Sequence, residues 1–391
     1  MTSAPAAVLG EDQRSITVPG LINMHDHLRS FLAPSRASDS APLAEVVAMA
    51  GAAQSVAEPE DYQALTALAA ARQVLAGTTT VVDHLYPLRP ELLDATLAGY
   101  RQVGLRGIVA LGIMTRGLPQ LCSSVDQIAE LAESALPRLG PGRMFLAPVS
   151  LRQNIPDDYG RAAVAAAELG IGLYTHIAEN HAEVRQSVDE HGRRPVELLA
   201  DQGFLGPRTV LVHAICLTDS EIRLLAESGT TVVYCPSNHA KLAKPVARVV
   251  DLQAAGVRVT LGVDGMESLL HEMRQAIAVQ GQAAGRPGVL PTAAALRMAS
   301  QDGRDALLAN GIAADFADHD AVTIDLWSSS TQPLADPEWA LVHRAGPKDV
   351  RDVTIDGRRV VRDGRLVSAE EQDLVRAARE STSRIAQRAG N

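Results

Sequence analysis

The chain has 391 residues, of which 46% are apolar and 21% charged, and its formal net charge is −10. These values are typical of a globular protein with a large core and exclude a disordered chain. The negative charge disfavours nucleic acids and anionic membranes as partners, and no apolar run is long enough to cross a bilayer. The three cysteines lack paired spacing, and residues 1–15 lack a secretory leader, so the sequence predicts a cytoplasmic protein.

Eight short apolar runs recur along the chain, and most are separated by segments with helical spacing. Several of these segments end in a glycine suited to a helix C-cap. Near-continuous apolar strands that alternate with helices predict parallel strands covered by helices, and eight such units predict an α/β (β/α)8 barrel of the TIM type. The runs are residues 16–24, 78–82, 105–113, 144–149, 171–174, 209–212, 231–234 and 257–261.

The pattern changes after Gly311. An alternating strand over 321–326 and a hairpin over 350–361, turning at Asp356 and Gly357, predict a small β appendage that is formed mainly by the C-terminal segment. A helix is predicted over 369–388. The expected domains are therefore a barrel over residues 19–314 and an appendage over residues 1–18 and 315–391. Residues 28–60 are expected to form an insertion over the mouth of the barrel.

Polar residues follow four of the predicted strands. The first run leads to His25 and His27, the fifth to His176, the sixth to His213 and the eighth to Asp264. Because the carboxyl ends of barrel strands meet at one rim, these side chains are expected to lie close together. Three imidazoles and the Asp264 carboxylate could hold one catalytic metal ion and leave a position for water.

Two further residues suit the handling of protons beside this metal. Glu179 lies three residues after His176 and could move a proton from water to substrate, although an acidic residue here could also cap a helix. His213 could stabilise the attacking water or the developing oxyanion, or it could be a core histidine. Asp264, besides binding metal, could take part in the reaction, or it could be a turn residue. The role of His84 stays undecided.

The motifs at these positions resemble those of the amidohydrolase superfamily. The resemblance is strongest to the metal-dependent aminohydrolases, the branch that includes guanine, 8-oxoguanine and S-adenosylhomocysteine deaminases and triazine hydrolases. It extends from about residue 16 to the C-terminus, and it implies metal ligands at His25, His27, His176 and Asp264, a catalytic Glu179 and an assisting His213. The matching motifs are residues 19–27 (PGLINMHDH), 77–80 (GTTT), 175–179 (THIAE), 212–213 (VH), 235–237 (CPS) and 261–265 (LGVDG).

The resemblance also bears on the number of metals. Superfamily members with two metals bridge them through a modified lysine at the end of the fourth strand, and this chain has no lysine before Lys241. A single divalent ion is therefore expected, zinc first and iron(II) as the alternative. Between the first two ligands, strand alternation predicts that Asp26 points away from the ion. Relatives are commonly dimers or larger, so a homo-oligomer is expected.

Three departures from the family pattern concern the appendage and the substrate. Few residues precede the first motif, so the appendage is expected to depend on the C-terminal segment. Arg152 and Gln153 follow the fourth strand, where the family selects its substrates, and they suggest recognition of a polar or anionic group, although an exposed loop arginine is the alternative. His239 stands where the family usually has asparagine and is interpreted as a substrate contact.

The resemblance and the residues together predict hydrolytic deamination of an aminated nitrogen heterocycle of the purine, pterin or pyrimidine type. In that reaction activated water attacks the amine-bearing carbon, Glu179 protonates the adjacent ring nitrogen, and ammonia leaves. The same residues could instead open a cyclic amide or displace a non-amine group. A non-catalytic barrel protein is a further alternative, but it predicts the loss of a ligand or of Glu179, and all are present.

Overall fold

The computed structural model describes residues 8–10, 14–29, 43–86, 89–313 and 315–389. Within these ranges the strands are β1 (Val8–Leu9), β2 (Ser15–Pro19), β3 (Leu21–Asp26), β4 (Thr78–Leu85), β5 (Arg106–Ile113), β6 (Met144–Pro148), β7 (Gly172–Ile177), β8 (Thr209–His213), β9 (Thr231–Tyr234), β10 (Val259–Leu261), β11 (Ala321–Asp325), β12 (Val350–Ile355), β13 (Arg358–Arg362) and β14 (Arg365–Leu366).

Helices fill most of the chain between the strands. They are α1 (Leu43–Ser55), α2 (Pro59–Leu75), α3 (Pro90–Val103), α4 (Val125–Leu139), α5 (Pro156–Leu169), α6 (His181–His191), α7 (Pro195–Asp201), α8 (Asp219–Ser228), α9 (Pro236–Lys241), α10 (Val249–Ala254), α11 (Leu269–Ala283), α12 (Thr292–Met298), α13 (Gln301–Ala309), α14 (Pro337–His343) and α15 (Glu371–Arg388). In the part of the chain that the structure describes, no helix combines the length and the apolar character needed to cross a membrane.

The eight strands β3 to β10 form one parallel sheet in sequence order. The sheet curls until its two outer strands meet, because the backbone amides of Val263 and Asp264, just after β10, donate to the carbonyl of His25 on β3 at 3.0 and 3.1 Å. This nearly closed barrel, with helices between its strands, confirms the predicted (β/α)8 fold.

Alternate side chains of the barrel strands point into the barrel and fill its interior. The opposite faces pack against the surrounding helices, so the strands are buried on both sides and read as apolar runs. One apolar cluster fills the middle of this interior. Its buried residues include Ile22, Met24, Val82, Ile108, Phe145, Tyr174, Val210, Val212 and Val233.

The first predicted run, residues 16–24, is two strands rather than one, so that prediction was wrong. The chain bends at Gly20, whose amide donates to the carbonyl of Asp320, and the two halves enter different sheets. The strand before the bend, β2, pairs with β11, and the strand after it, β3, begins the barrel. Both halves are apolar because both are buried, which hides the break in the sequence.

The second sheet has six antiparallel strands in the order β1-β2-β11-β12-β13-β14. Four of them follow the barrel in sequence. This confirms the predicted small β appendage, which is formed mainly by the C-terminal segment. The β12–β13 hairpin turns at Asp356 and Gly357, with φ angles of 51° and 73°. The domain boundaries at 18/19 and 314/315 stay a prediction.

The segment expected to form an insertion, residues 28–60, lies partly outside the described residues, since residues 30–42 are not among them. Its described part includes α1, which packs against residues 119–121 in the loop after β5. That loop follows the carboxyl end of its strand, so α1 is on the same side of the barrel as the strand-end histidines.

One arginine links the two sheets. Arg106, at the start of β5, is buried and forms ion pairs with Asp320 before β11 and with Asp356 in the hairpin turn. The Asp320 carboxylate also accepts from the backbone amide of Asp356 at 2.9 Å. The small sheet is therefore held against the barrel by the buried Arg106–Asp320 pair and by the ion pair with the exposed Asp356, as well as by apolar contacts.

Candidate metal-dependent active site

A β-bulge places the first histidine. Asn23 pairs with Val81 of β4 and Asp26 pairs with Asp83, so three steps along β3 match two steps along β4. Such an extra residue re-aims the side chains of a strand. Strict alternation along β3 is therefore interrupted before His25, whose ring lies buried at the end of the barrel interior.

Hydrogen bonds fix the orientation of the His25 ring. Its Nδ1 lies 2.8 Å from the hydroxyl of Tyr174, which itself donates to the carbonyl of Met24 at 2.8 Å. Because that hydroxyl uses its hydrogen on Met24, its oxygen accepts from His25 Nδ1–H. The Nε2 of His25 is consequently the nitrogen with a free lone pair.

The same argument holds for His27 and His176. Nδ1 of His27 lies 3.1 Å from the carbonyl oxygen of His84, and Nδ1 of His176 lies 2.8 Å from that of Val149. A carbonyl only accepts, so both Nδ1 atoms carry hydrogen and both Nε2 atoms carry lone pairs. Partners of this kind are those that orient metal-binding imidazoles.

The three lone pairs converge on one point. Nε2 of His176 lies 3.3 Å from Nε2 of His25 and 3.3 Å from Nε2 of His27. Lone pairs facing each other repel, whereas a cation between them is attracted by all three. Two nitrogens each about 2.0–2.1 Å from a tetrahedral zinc ion are about 3.3 Å apart, so these residues fit a divalent metal.

Asp264 completes the donor set. Its Oδ1 lies 3.3 Å from His25 Nε2, and the potential ligand atoms form two overlapping groups, His25 with His27 and His176, and His25 with His213 and Asp264. Although burial raises the pKa of the Asp264 carboxyl, the neighbouring His25 and His27 hold it far below its usual range. The carboxylate is thus ionised, as a metal ligand must be.

Asp26 points away from these donors. Its Oδ2 accepts from Gln73 Nε2 at 2.8 Å and from Asn23 Nδ2 at 3.1 Å. Its Oδ1 accepts from the backbone amides of His27 at 2.8 Å and Gly265 at 3.0 Å. Asp26 therefore links the backbone just after β3 to the backbone just after β10 by hydrogen bonds.

Glu179 lies between two cations. Its Oε1 accepts from Lys244 Nζ at 2.7 Å and its Oε2 from Arg152 at 2.6 Å, and its side chain is only 4% exposed. Burial alone would raise its pKa, but the charges of Lys244 and Arg152 lower the pKa to about 2. The carboxylate is ionised at neutral pH.

Glu183, in the first turn of α6, supports this arrangement. Its carboxylate accepts from the backbone amides of Ala178 at 3.0 Å and Glu179 at 3.2 Å, and it contacts Arg152 at 3.4 Å. Ala178 has a φ of 49°, a strained conformation for a residue with a side chain. Glu183 thereby holds the turn that aims Glu179 at the site.

His213 lies on the other side of Glu179. Its Nε2 is 3.4 Å from Glu179 Oε1 and 4.0 Å from Asp264 Oδ2, and its Nδ1 is 3.0 Å from Nε2 of His239. Carboxylates accept, so Nε2 of neutral His213 carries hydrogen and Nδ1 accepts from His239. Burial lowers the pKa of both rings, to about 3 for His239, so both are neutral.

The three predicted substrate contacts lie in different places. Arg152 contacts Glu179 and His239 contacts His213, so both side chains lie beside the residues proposed above for proton handling. The side chain of Gln153 bonds instead to Ser150 within its own turn. The previously undecided His84 has its ring centroid 4.8 Å from that of His176, beside the metal donors.

Sequence reasoning missed three residues at the site: Tyr174, Glu183 and Lys244. Tyr174 lies in an apolar strand, where a tyrosine is read as core. The signal that could have identified Glu183 is its position three residues after Asn180, because a capping residue is commonly followed at this spacing by an acidic residue in the first turn of a helix. Lys244 follows a short helix and gives no periodic signal.

The model of the amidohydrolase family matches residues 16–360. The chain belongs to the amidohydrolase family, and it is a hydrolase that acts on carbon–nitrogen bonds.

Particular relatives are similar over nearly the whole chain. A 5-methylthioadenosine/S-adenosylhomocysteine deaminase of Halobacterium salinarum is 32% identical over 96% of this chain and 88% of its own length. A 5'-deoxyadenosine deaminase of Methanosarcina mazei is 27% identical over 99% of this chain and 90% of its own. Among solved structures, an adenosine deaminase from Xanthomonas campestris with bound zinc is 29% identical with a TM-score of 0.85, covering 95% of this chain and 86% of that one.

Proposed function

We propose that this protein hydrolytically deaminates an adenosine-type purine and releases ammonia. The observation that carries the proposal is the placement of an ionised Glu179 next to His213, at the rim where three histidine Nε2 atoms converge. The similarity to deaminases of adenosine derivatives over nearly the whole chain supports the purine as the substrate class.

His25, His27, His176 and Asp264 would hold one divalent ion. The ion supplies Lewis-acid activation of the hydrolytic water. Glu179 is ionised and so can accept a proton from that water and then donate it to the ring nitrogen next to the amine-bearing carbon. The water oxygen bonds to that carbon, the carbon–nitrogen bond breaks, and ammonia leaves with the remaining proton.

His213 would stabilise the charge that develops during the addition. Its Nε2–H points toward Glu179 Oε1 and Asp264 Oδ2, so it faces the oxygen that adds to the ring. A preorganised donor at this position lowers the barrier without having to reorganise. Asp264, whose Oδ2 lies 4.0 Å from His213 Nε2, would accept the second proton of the water and pass it to the departing amine.

Zinc is the proposed ion, because a zinc-bound relative has the same fold at 29% identity. Three imidazoles and a carboxylate also suit iron(II), so metal analysis of the purified protein separates the two. We further propose a homo-oligomer located in the cytoplasm. The free thiols of Cys122, Cys216 and Cys235 support a reducing compartment.

Ammonia release from a panel of substrates tests the reaction. Adenosine, 5'-deoxyadenosine, methylthioadenosine and S-adenosylhomocysteine are the substrates, and a cyclic amide is the comparison. Ammonia is expected from at least one adenosine derivative and ring opening from none. Ring opening of the cyclic amide without any ammonia release would overturn the proposal.

The variant Glu179→Gln tests the role of the carboxylate. Without a group that can carry a proton, kcat is expected to fall by about 10²–10⁴-fold while the metal content stays at that of the wild type. Glu168→Gln, at an exposed position on α5, is the matched control and should keep full turnover. A Glu179→Gln enzyme with wild-type kcat would remove this residue from the mechanism.

A further inference from the structure

The segment that follows the seventh barrel strand reaches both residues proposed to handle protons. It comprises α9 and the turn after it, residues 236–244. His239, on α9, contacts His213 at 3.0 Å, and Lys244, in the turn, contacts Glu179 at 2.7 Å. Neither contact involves the metal donors directly.

We propose that Lys244 is a positioning residue for the reaction and acts through Glu179. This inference rests on the proposed function, since it assumes that Glu179 carries the proton. Lys244 would hold the Glu179 carboxylate in one orientation, with Oε1 toward His213.

The burial of Lys244 is the first support. Its side chain is 4% exposed, although it lies on a turn at the surface end of the barrel. A buried ammonium is stable only when it is paired and hydrogen-bonded. Its bonds to Glu179 Oε1 and to Asn238 Oδ1, at 2.7 and 2.8 Å, meet that need.

The backbone of the turn aims this side chain. Ala243, just before Lys244, has a φ of 49°, and the amide of Lys244 donates to the carbonyl of His239 at 2.9 Å. The chain thus leaves the helical conformation at the end of α9. A strained residue next to a buried charge is typical of a constrained functional position.

The neighbouring contacts show why Lys244 matters more than Arg152. Arg152 also reaches Glu183, and its side chain is 30% exposed, so it has a second acidic partner and access to water. Lys244 holds the oxygen that lies nearest to His213. Removing Lys244 therefore releases Glu179 Oε1, the oxygen next to His213, whereas removing Arg152 releases Oε2.

Kinetics of Lys244→Met in the metal-loaded protein test the proposal. With the carboxylate no longer held, we expect kcat to fall by about tenfold or more and KM for the adenosine substrate to change by less than about threefold. Lys241→Met, at an exposed position in the same segment, is the matched control and should match the wild type. A higher KM with an unchanged kcat would assign Lys244 to substrate binding and overturn the proposal.

A double-mutant cycle with Glu179→Gln separates positioning from a structural role. If Lys244 acts through Glu179, then Lys244→Met should cause no further loss in the Glu179→Gln background. Equal losses in both backgrounds would contradict the proposal. The metal content and the melting temperature of each variant show whether it is folded.

Chemical rescue gives a second measurement. Propylammonium added to Lys244→Ala should restore at least part of kcat, because it replaces the missing methylenes and the charge, while neutral propanol should not. No rescue by the amine, together with a kcat equal to that of the wild type in Lys244→Met, would overturn the inference. If the wild type releases no ammonia from any adenosine derivative, it is the proposed function that fails instead.

Discussion

In each of the three metal-facing histidines Nδ1–H is donated to an oxygen of fixed position, so Nε2 carries a lone pair. For His25 that oxygen belongs to a side chain, the Tyr174 hydroxyl, and for the other two it belongs to a backbone carbonyl. Only the partner of His25 can therefore be removed by substitution.

Tyr174→Phe is expected to weaken metal binding by about 10–100-fold, because His25 loses the acceptor that fixes its tautomer and ring orientation. Competition with a chelator measures this change. Tyr159→Phe, which removes the hydroxyl of an equally buried tyrosine on α5, is the control and should leave metal affinity unchanged. An unchanged affinity in Tyr174→Phe would show that packing alone orients His25.

At this scale the sequence predicted the residues that stand directly at strand ends and missed those that reach the site from elsewhere. His25, His176 and Asp264 follow apolar runs, so their meeting at one rim follows from the barrel. The position of Lys244 depends on the conformation of a turn, and that of Tyr174 on which face of its strand points into the barrel. Neither feature can be seen in residue type or spacing. His239 contacts His213, and its expected role at the substrate stays a prediction.

Among the elements, β5 approaches β4 so closely that one position excludes a side chain. A Cβ built on Gly112 would lie 2.1 Å from the carbonyl oxygen of Leu85. Because this atom belongs to the backbone of the neighbouring strand, it cannot move without disturbing the barrel next to His84.

Gly112→Ala is therefore expected to lower the free energy of unfolding by at least about 1–3 kcal/mol. Urea denaturation followed by circular dichroism measures the change. Gly206→Ala is the control, because no atom lies within 4 Å of a Cβ built there. Equal stability of both variants would mean that β4 and β5 can move apart without lowering the free energy of unfolding.

The elements also show where pattern reading succeeds and fails. Strand β9 was predicted at its observed residues because it is a short apolar run bounded by Gly229 and Pro236. The run over 16–24 was read as one strand, since β2 and β3 are both buried and only Gly20 separates them. The bulge between Asn23 and Asp26 was equally invisible, because it changes pairing and not composition.

For the molecule as a whole, one buried acid should make stability depend on pH. Glu272 on α11 accepts from the amide of Ser237 at 3.0 Å, and burial raises its pKa to about 8 although this hydrogen bond opposes the rise. The unfolded value is 4.5. Between these two pH values the folded protein binds more protons than the unfolded chain, so the free energy of unfolding falls as pH rises.

Glu272→Gln should remove this dependence. The wild type is expected to lose up to about 4 kcal/mol more than the variant between pH 4.5 and 8. Glu183, whose pKa burial raises to about 7, acts in the same direction in both proteins. Urea titrations across this range measure the difference, and Glu130→Gln, at an exposed position on α4, is the control. Parallel curves for the wild type and Glu272→Gln would show that Glu272 titrates as it does in the unfolded chain.

The pairing of β2 with β11 has a consequence for the order in which the molecule is made. Pro19 pairs with Ala321, so β2 leaves the ribosome before the barrel strands and meets β11 only after all of them have been synthesised. The hairpin that covers β11 emerges later still. The barrel can therefore assemble before its companion sheet, and during synthesis the edge of β2 that later pairs with β11 is open, next to the first metal ligands.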